Sequence, residues 1–373
     1  MTALRNKPDW GIPPWKIDFR PRKRRLPRVV DFAIVGGGFT GLATAAWLRK
    51  LAPHKSVAVF EAGRIGAGSS GHTGGIALGE TAAGDLPGLG DVLAGIRRIL
   101  RALRVNCDLV LEGAFEISHR EGKKNSPIRW ADSGELCVSN EVPGGTVNPG
   151  KMVSGLARAA ERLGALIFEG TRVEEAAGGR GPLRLKLRAA EIRAHRVLAA
   201  TNAFSLELAG LANHTEPKFT LAVATEPLTA GRLHELGLAS RRPFYTADLP
   251  YLWGRLLPSN SVIFGSGLVH LKDWRELEGL SIRSGQPAEL LSRLMERVRG
   301  FHPALRSVKF THRWGGPMLI GKGWTPVFAR HPRMENLVVL GAYSGHGVAL
   351  SVYLGCWAAE ALLGRREIPG WGR

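Results

Sequence analysis

Apolar positions follow two periods along this chain, and the change of period marks its elements. Val29 to Val35 is an apolar, β-branched run that predicts a buried strand. Phe39, Leu42, Ala43, Ala46 and Trp47 then fall on one helical stripe, which Pro53 stops. Val57 to Phe60 predicts a second strand. Val92, Ile96, Ile99, Leu103 and Leu109 carry helical spacing over Val92 to Leu111, and Phe115 to Ser118 and Glu135 to Val138 read as short strands. A helix starts at Pro149 behind an Asn148 cap, shows its stripe at Met152, Leu156, Ala159 and Leu163, and ends at Gly164. Ala165 to Phe168, a hairpin around Gly178–Gly181, and Arg196 to Ala200 follow. Phe219 to Thr225, Tyr251 to Leu257 and Val262 to Phe264 have strand composition, and Ala288, Leu291, Leu294, Met295 and Val298 form a helical stripe. Leu337 to Gly341 is a last strand, leading into a helix that runs to Leu363.

The first strand, helix and second strand enclose Gly36-Gly37-Gly38-Phe39-Thr40-Gly41, a GxGxxG turn placed as a dinucleotide-binding βαβ unit requires. Gly36 allows the tight turn, Gly38 lets backbone approach a pyrophosphate, and Gly41 lets helix and strand pack closely. The helix N-terminus offers N–H groups to phosphate. Glu61, about 20 residues on, stands where an acid accepts ribose hydroxyls. This motif does not choose between FAD and NAD.

The small-residue run Arg64 to Gly75 (RIGAGSSGHTGG) directly after the acid resembles the flavin-binding loop of the D-amino-acid-oxidase-like FAD oxidoreductases, the family of glycine oxidase, sarcosine oxidase and dimethylglycine dehydrogenase. Its "GxSSGxxGG" form is most similar to the γ-glutamylputrescine-oxidase branch. The turn Thr201-Asn202-Ala203 and the run Tyr343-Ser344-Gly345-His346-Gly347 resemble two further family motifs, in the family's order.

The resemblance implies an α/β fold with an α+β substrate domain: a discontinuous Rossmann-like FAD-binding domain (29–85, 146–215 and 318–373) and a second domain on a large antiparallel sheet (86–145 and 216–317). It implies FAD contacts at Gly36, Gly38, Phe39, Thr40, Gly41, Glu61, Ala62, Arg64, Ser69, Ser70, His72, Thr73, Gly74 and Gly75. Further contacts are expected at Val173 near adenine, at Thr201 and Asn202, and at Gly345, His346, Gly347 and Val348, where a helix dipole faces the flavin. The implied chemistry is oxidation of a C–N bond in a small amine or amino acid by hydride transfer to flavin N5, followed by imine hydrolysis. On the substrate side the candidates are His346, Tyr251 and Arg255. Alternation puts Tyr251, Trp253 and Arg255 on one face, where the arginine would clamp a carboxylate. Trp314 is either a pocket wall or core. Lys272 is the candidate cation for oxygen reactivity, and oxygen or another acceptor takes the electrons. A dimethylglycine-dehydrogenase-like covalent link at His72 is an alternative; non-covalent FAD is expected.

Composition narrows this reading. Net charge is +19 over 373 residues, read as arginine-rich surface, with a tRNA-modifying flavoenzyme kept as a rival. A flavin-binding subunit that only passes electrons is the other alternative. No apolar run reaches the ~18 residues of a membrane helix. Three cysteines at unrelated spacings argue against a disulfide framework or a metal site and for the cytoplasm. Residues 1–28 form an arm with a basic cluster, Arg20 to Arg25. Trp10 and Trp15 beside Pro13-Pro14 suggest that it packs somewhere.

Overall fold

The computed structural model describes residues 8–119, 125–179, 181–246 and 248–372. Two large sheets organise them. The first runs in the order Val327–His331, Met334–Gly341, Glu191–Ala199, Val29–Val35, Val57–Phe60, Leu166–Phe168. Its four central pairings are parallel. The hairpin Val173–Ala177 and Leu183–Leu187 extends from it, with Arg180 outside the described residues. The central strands are buried on both faces: Phe32, Ile34, Val57 and Val59 cluster with the helices, and Ala33, Val35, Ala58 and Phe60 cluster with Leu183, Leu185 and Leu187 of the hairpin.

The helix Phe39–Leu51 packs on the C-terminal helix Gly347–Leu362. Thr44 Oγ1 donates to Gly355 O at 2.8 Å, a close approach that the missing side chain at Gly355 permits. Asn148 caps the helix Pro149–Arg162 by accepting from Lys151 N–H, and Gly164, at φ +97°, ends it.

The second sheet runs in the order Phe310–Gly321, Thr215–Thr225, Val262–His270, Trp253–Leu256, Phe244–Thr246, Ala114–Ser118, Gly134–Val142, Arg129–Asp132. It is antiparallel except for one parallel pair, Phe244–Thr246 with Ala114–Ser118. The Phe310–Gly321 strand continues through 317/318, an expected domain boundary, because Met318 to Gly321 keep pairing with Thr215 to Lys218. Behind this sheet, Trp130 stacks on Phe301 at 5.5 Å and meets Phe244 edge-on at 4.9 Å.

Two expected elements differ. The helix beginning at Val92 stops at Ala102 rather than running to Leu111. Arg104 and Asp108 take left-handed φ of 55° and 53°, and Asn106 Oδ1 accepts from Asp108 N–H, so a local turn displaces the last helical turns. Tyr251 lies ahead of its strand, which spans Trp253–Leu256.

The tightest joint is at the glycine turn. A Cβ on Gly41 would lie 2.0 Å from Gly36 O and 3.1 Å from Ile34 Cγ2. Gly41→Val is therefore expected to destabilise the fold by about 1–3 kcal/mol, the usual cost of overpacking. Thermal unfolding checks this, and an unchanged midpoint would contradict it.

Candidate active site

The C-terminal ends of the parallel strands and one face of the second sheet enclose a cavity of about 1450 Å³. That exceeds the ~300–1,000 Å³ of an ordinary small-molecule pocket. Gly36, Gly38, Phe39, Thr40, Glu61, Ala62, Ser69, Ser70, His72, Thr73, Gly74, Val173, Thr201, Asn202, Gly345, His346, Gly347 and Val348 all line it, as does Tyr251. Residues from six separated segments of chain thus meet in one space.

At the first glycine turn, φ of +111° at Gly36 bends the strand end away, and a Cβ there would strike Ala200 O at 2.5 Å. Phe39 N–H, at the start of the helix, donates to Ser70 Oγ at 2.9 Å. The Glu61 carboxylate accepts from Gly37 N–H and Gly63 N–H, both at 2.8 Å. Burial pushes that carboxyl up from its ordinary range, and the two N–H donors oppose the shift. The carboxylate keeps acceptor capacity beyond these two bonds.

Asn202, at φ 47°, joins three segments. Its Nδ2 donates to Ser69 Oγ at 3.0 Å, and its Oδ1 accepts from Ala342 N–H at 3.0 Å. Ser69 Oγ in turn donates to Pro317 O at 2.7 Å. The loop Ser69 to Gly74 is thereby tied to both strand ends and to the second sheet. Two indole N–H groups hold its backbone, Trp15 Nε1 to Gly71 O at 2.7 Å and Trp314 Nε1 to His72 O at 3.0 Å. His72 Nδ1 lies 2.9 Å from Gly68 O, which assigns the proton to Nδ1 and leaves Nε2 unengaged by that bond. The Trp253 ring fills the space over Gly74 and Gly265.

On the far wall, Tyr343 OH and Thr40 Oγ1 lie 2.7 Å apart, which links the C-terminal motif to the first helix. Gly345, at φ +91°, turns the chain so that its α-carbon faces Met318 Sδ and the Tyr251 hydroxyl. Burial pushes the Tyr251 phenol up to about 12 and lowers both His72 and His346. These groups stay uncharged at neutral pH. Arg297 holds the segment bearing Tyr251: it donates to Tyr251 O at 3.1 Å and Pro250 O at 2.9 Å while pairing with Asp132 at 2.6 Å.

Five expected site residues lie outside the lining. Gly41 and Gly75 sit behind the wall, packed against Gly36 O and Val147 O. Arg64 is exposed. Arg255 is buried beyond the cavity under the Trp15 ring, 6.0 Å from its centroid, with Nε unpartnered and the guanidinium pulled down by burial to about 10. The arm covers that end of the sheet, so Arg255 meets Trp15 instead of the cavity. Lys272 is exposed in a turn where its N–H bonds Glu276 Oε1. Trp314 is fully buried core that does not line the cavity.

The sequence reading missed Lys218, buried with Nζ 2.6 Å from Nδ1 of His270, whose ring does line the cavity. Lys218 and His270 belong to different strands and share no motif, so only strand register joins them. Thr220 and Tyr245, which also line the cavity, were missed for the same reason.

The residues present fit a dinucleotide cofactor. Thr201 Oγ1, Thr220 Oγ1 and Ser351 Oγ are buried without a protein partner, and all three residues line the cavity. A polar ligand spanning the cavity satisfies orphaned groups of this kind.

The two lowered histidines set a pH dependence. A histidine with depressed folded pKa adds stability above its ordinary value of 6.5, and that stability is lost as pH falls through the lowered value. The unfolding midpoint should therefore drop as pH goes from 7 toward 5, and His72→Gln/His346→Gln should flatten that drop. An equally steep fall in the double variant would contradict the assignment.

Comparison with known proteins agrees with this geometry. The γ-glutamylputrescine oxidoreductase of Escherichia coli (strain K12) is 26% identical over 383 aligned positions, covering 90% of this chain and 84% of the relative. The glycine oxidase of Bacillus subtilis (strain 168) is 21% identical, covering 93% and 96%. The crystal structure of glycine oxidase from Geobacillus kaustophilus superposes with a TM-score of 0.70 at 19% identity, covering 92% of this chain and 97% of that one, a likeness of fold. The model of the DAO family, described as FAD dependent oxidoreductase, matches residues 31–361. The chain belongs to that family of FAD-dependent oxidoreductases.

Proposed function

We propose that this enzyme oxidises a C–N bond of a small amine or amino acid, with hydride transfer to flavin N5 and hydrolysis of the released imine in water. FAD, when bound, supplies the hydride acceptor. The observation that carries the reading is the continuity of one cavity from the glycine turn and Glu61 to a chamber walled by Tyr245, Tyr251, Trp253, Met318 and His346. Such a chamber orients a flat or aliphatic amine by apolar contact. Its neutral phenol and imidazole favour the uncharged amine, whose lone pair is available as the Cα–H leaves. The names of the relatives, γ-glutamylputrescine oxidoreductase and glycine oxidase, support an amine or amino-acid substrate.

In this reading Gly36, Gly38, Phe39, Thr40, Glu61 and Val173 hold the nucleotide half of FAD. Ser69, Ser70, His72, Thr73, Gly74, Thr201, Asn202 and the segment Gly345 to Val348 hold the flavin half. Tyr251 and His346 contact substrate. Arg255 and Lys272, outside the lining, are given no catalytic role in this reading. The FAD is non-covalent, the electron acceptor is oxygen or another oxidant, and the compartment is cytoplasmic, in keeping with three free, buried cysteines. No described helix is long and apolar enough to cross a membrane.

Anaerobic addition of amines and amino acids should bleach the flavin absorbance with at least one member of the panel. A chain that binds FAD but is bleached by none would favour an electron-transfer subunit, and salt-sensitive RNA retention would favour the tRNA-modifying rival. Tyr251→Phe should raise KM for the bleaching substrate with little change in FAD content. Acid precipitation should leave a colourless pellet and a yellow supernatant; a yellow pellet that loses its colour in His72→Ala would establish a covalent link instead.

A further inference from the structure

The N-terminal arm enters the cofactor cavity. Pro8, Asp9, Trp10 and Gly11 line it, although they precede the first strand by about twenty residues. The Trp10 ring lies edge-on to His72 at 5.4 Å and stacks on Phe204 at 6.1 Å. Its Nε1–H donates to Leu277 O at 3.2 Å, so the indole is fixed from behind.

The arm is also anchored on both halves of the molecule. Asp9 N–H donates to Leu280 O at 3.0 Å, and Gly315 N–H donates to Trp10 O at 2.8 Å, which fastens the arm to the second-sheet side. On the other side, Trp15 Nε1 donates to Gly71 O at 2.7 Å and Asp18 N–H to Ser154 Oγ at 2.9 Å. The fit is close at each crossing. A Cβ on Gly66 would lie 2.6 Å from Ile17 Cδ1, and one on Gly150 would lie 2.2 Å from Lys16 O. A Cβ on Gly71 would likewise stand 3.0 Å from Ile17 Cδ1. Part of the loop's run of small residues therefore makes room for the arm rather than for a flat ring.

We propose that residues 8–18 are the closing wall of the FAD site, with Trp10 packed against the bound cofactor, and that FAD leaves only when this strap lifts. The physical ground is that Trp10 is a large aromatic surface, immobilised by its N–H bond, facing the cavity beside His72. A ligand covered by a strap that crosses both halves cannot depart along that side without breaking the anchoring bonds. The inference rests on FAD as the occupant of the cavity.

Two measurements test it on the full chain. After dilution of the holoenzyme, Trp10→Ala should release FAD at least ten-fold faster than the unaltered chain, followed as free-flavin fluorescence. Ile12→Ala, on the same strap but 75% exposed, should release it at the unaltered rate. Release from Trp10→Ala at the unaltered rate overturns the inference. The second measurement needs no variant. Trypsin cleavage at the exposed Lys16, identified by mass spectrometry, should be slowed at least ten-fold when FAD is bound compared with the FAD-free chain. Equal cleavage rates overturn the strap. A chain that takes up no FAD at all would instead overturn the cofactor assignment on which it rests.

Discussion

The structure depends on how near the Phe39–Leu51 helix comes to the end of the Val29–Val35 strand. Gly41 allows that approach, because any Cβ there would stand 2.0 Å from Gly36 O. The short joint brings the helix N-terminus to the rim of the parallel sheet. Ser70 then bonds Phe39 N–H, Tyr343 OH meets Thr40 Oγ1, and Gly355 settles against Thr40 O. The loop, the C-terminal motif and the C-terminal helix all take their positions from this one helix. A wider joint would move every wall of the cavity at once, because the interior is close-packed and does not deform piecemeal.

The second constraint is electrostatic. Around Tyr251 and His346 the cavity wall carries groups that burial keeps neutral. Tyr251 is held as the phenol, and His72 and His346 as the imidazoles. The nearby charges are paired: Lys218 with His270 and Glu216, Arg297 with Asp132, and Asp248, which lines the cavity, with His119. Hydride transfer from an amine does not need a triad of titrating side chains; it needs a dry, shaped space and a fixed acceptor. The distribution of neutral and paired groups matches that need.

The two halves of the molecule are joined by few covalent crossings and many small ties. Asn202 binds the loop to two strand ends, Trp314 holds the loop to the second sheet, and the N-terminal arm spans both. Three of these ties engage a backbone group, Ala342 N–H, His72 O and Gly71 O, and burying such a group without a partner costs more than the bond alone.

What the sequence by itself determined is local. The GxGxxG turn, the helix behind it, the acid at Glu61, the Asn148–Pro149 helix start and the hairpin around Gly178–Gly181 all follow from propensities and spacings that act over a few residues. The three motifs, in order, also sufficed to indicate the fold. Only the tertiary structure decided which side chains reach the cavity. Arg255 shares a strand with Trp253, which lines the cavity, yet Trp15 covers it. Lys272 follows a strand end but turns out to solvent, while Lys218 meets His270 through the register of two strands. Trp10 reaches the site through contacts such as its bond to Leu277, 267 positions away along the chain. Exposure of a side chain to a cavity depends on what else packs over its sheet. That covering is set by contacts between distant segments, which leave no periodicity in either segment.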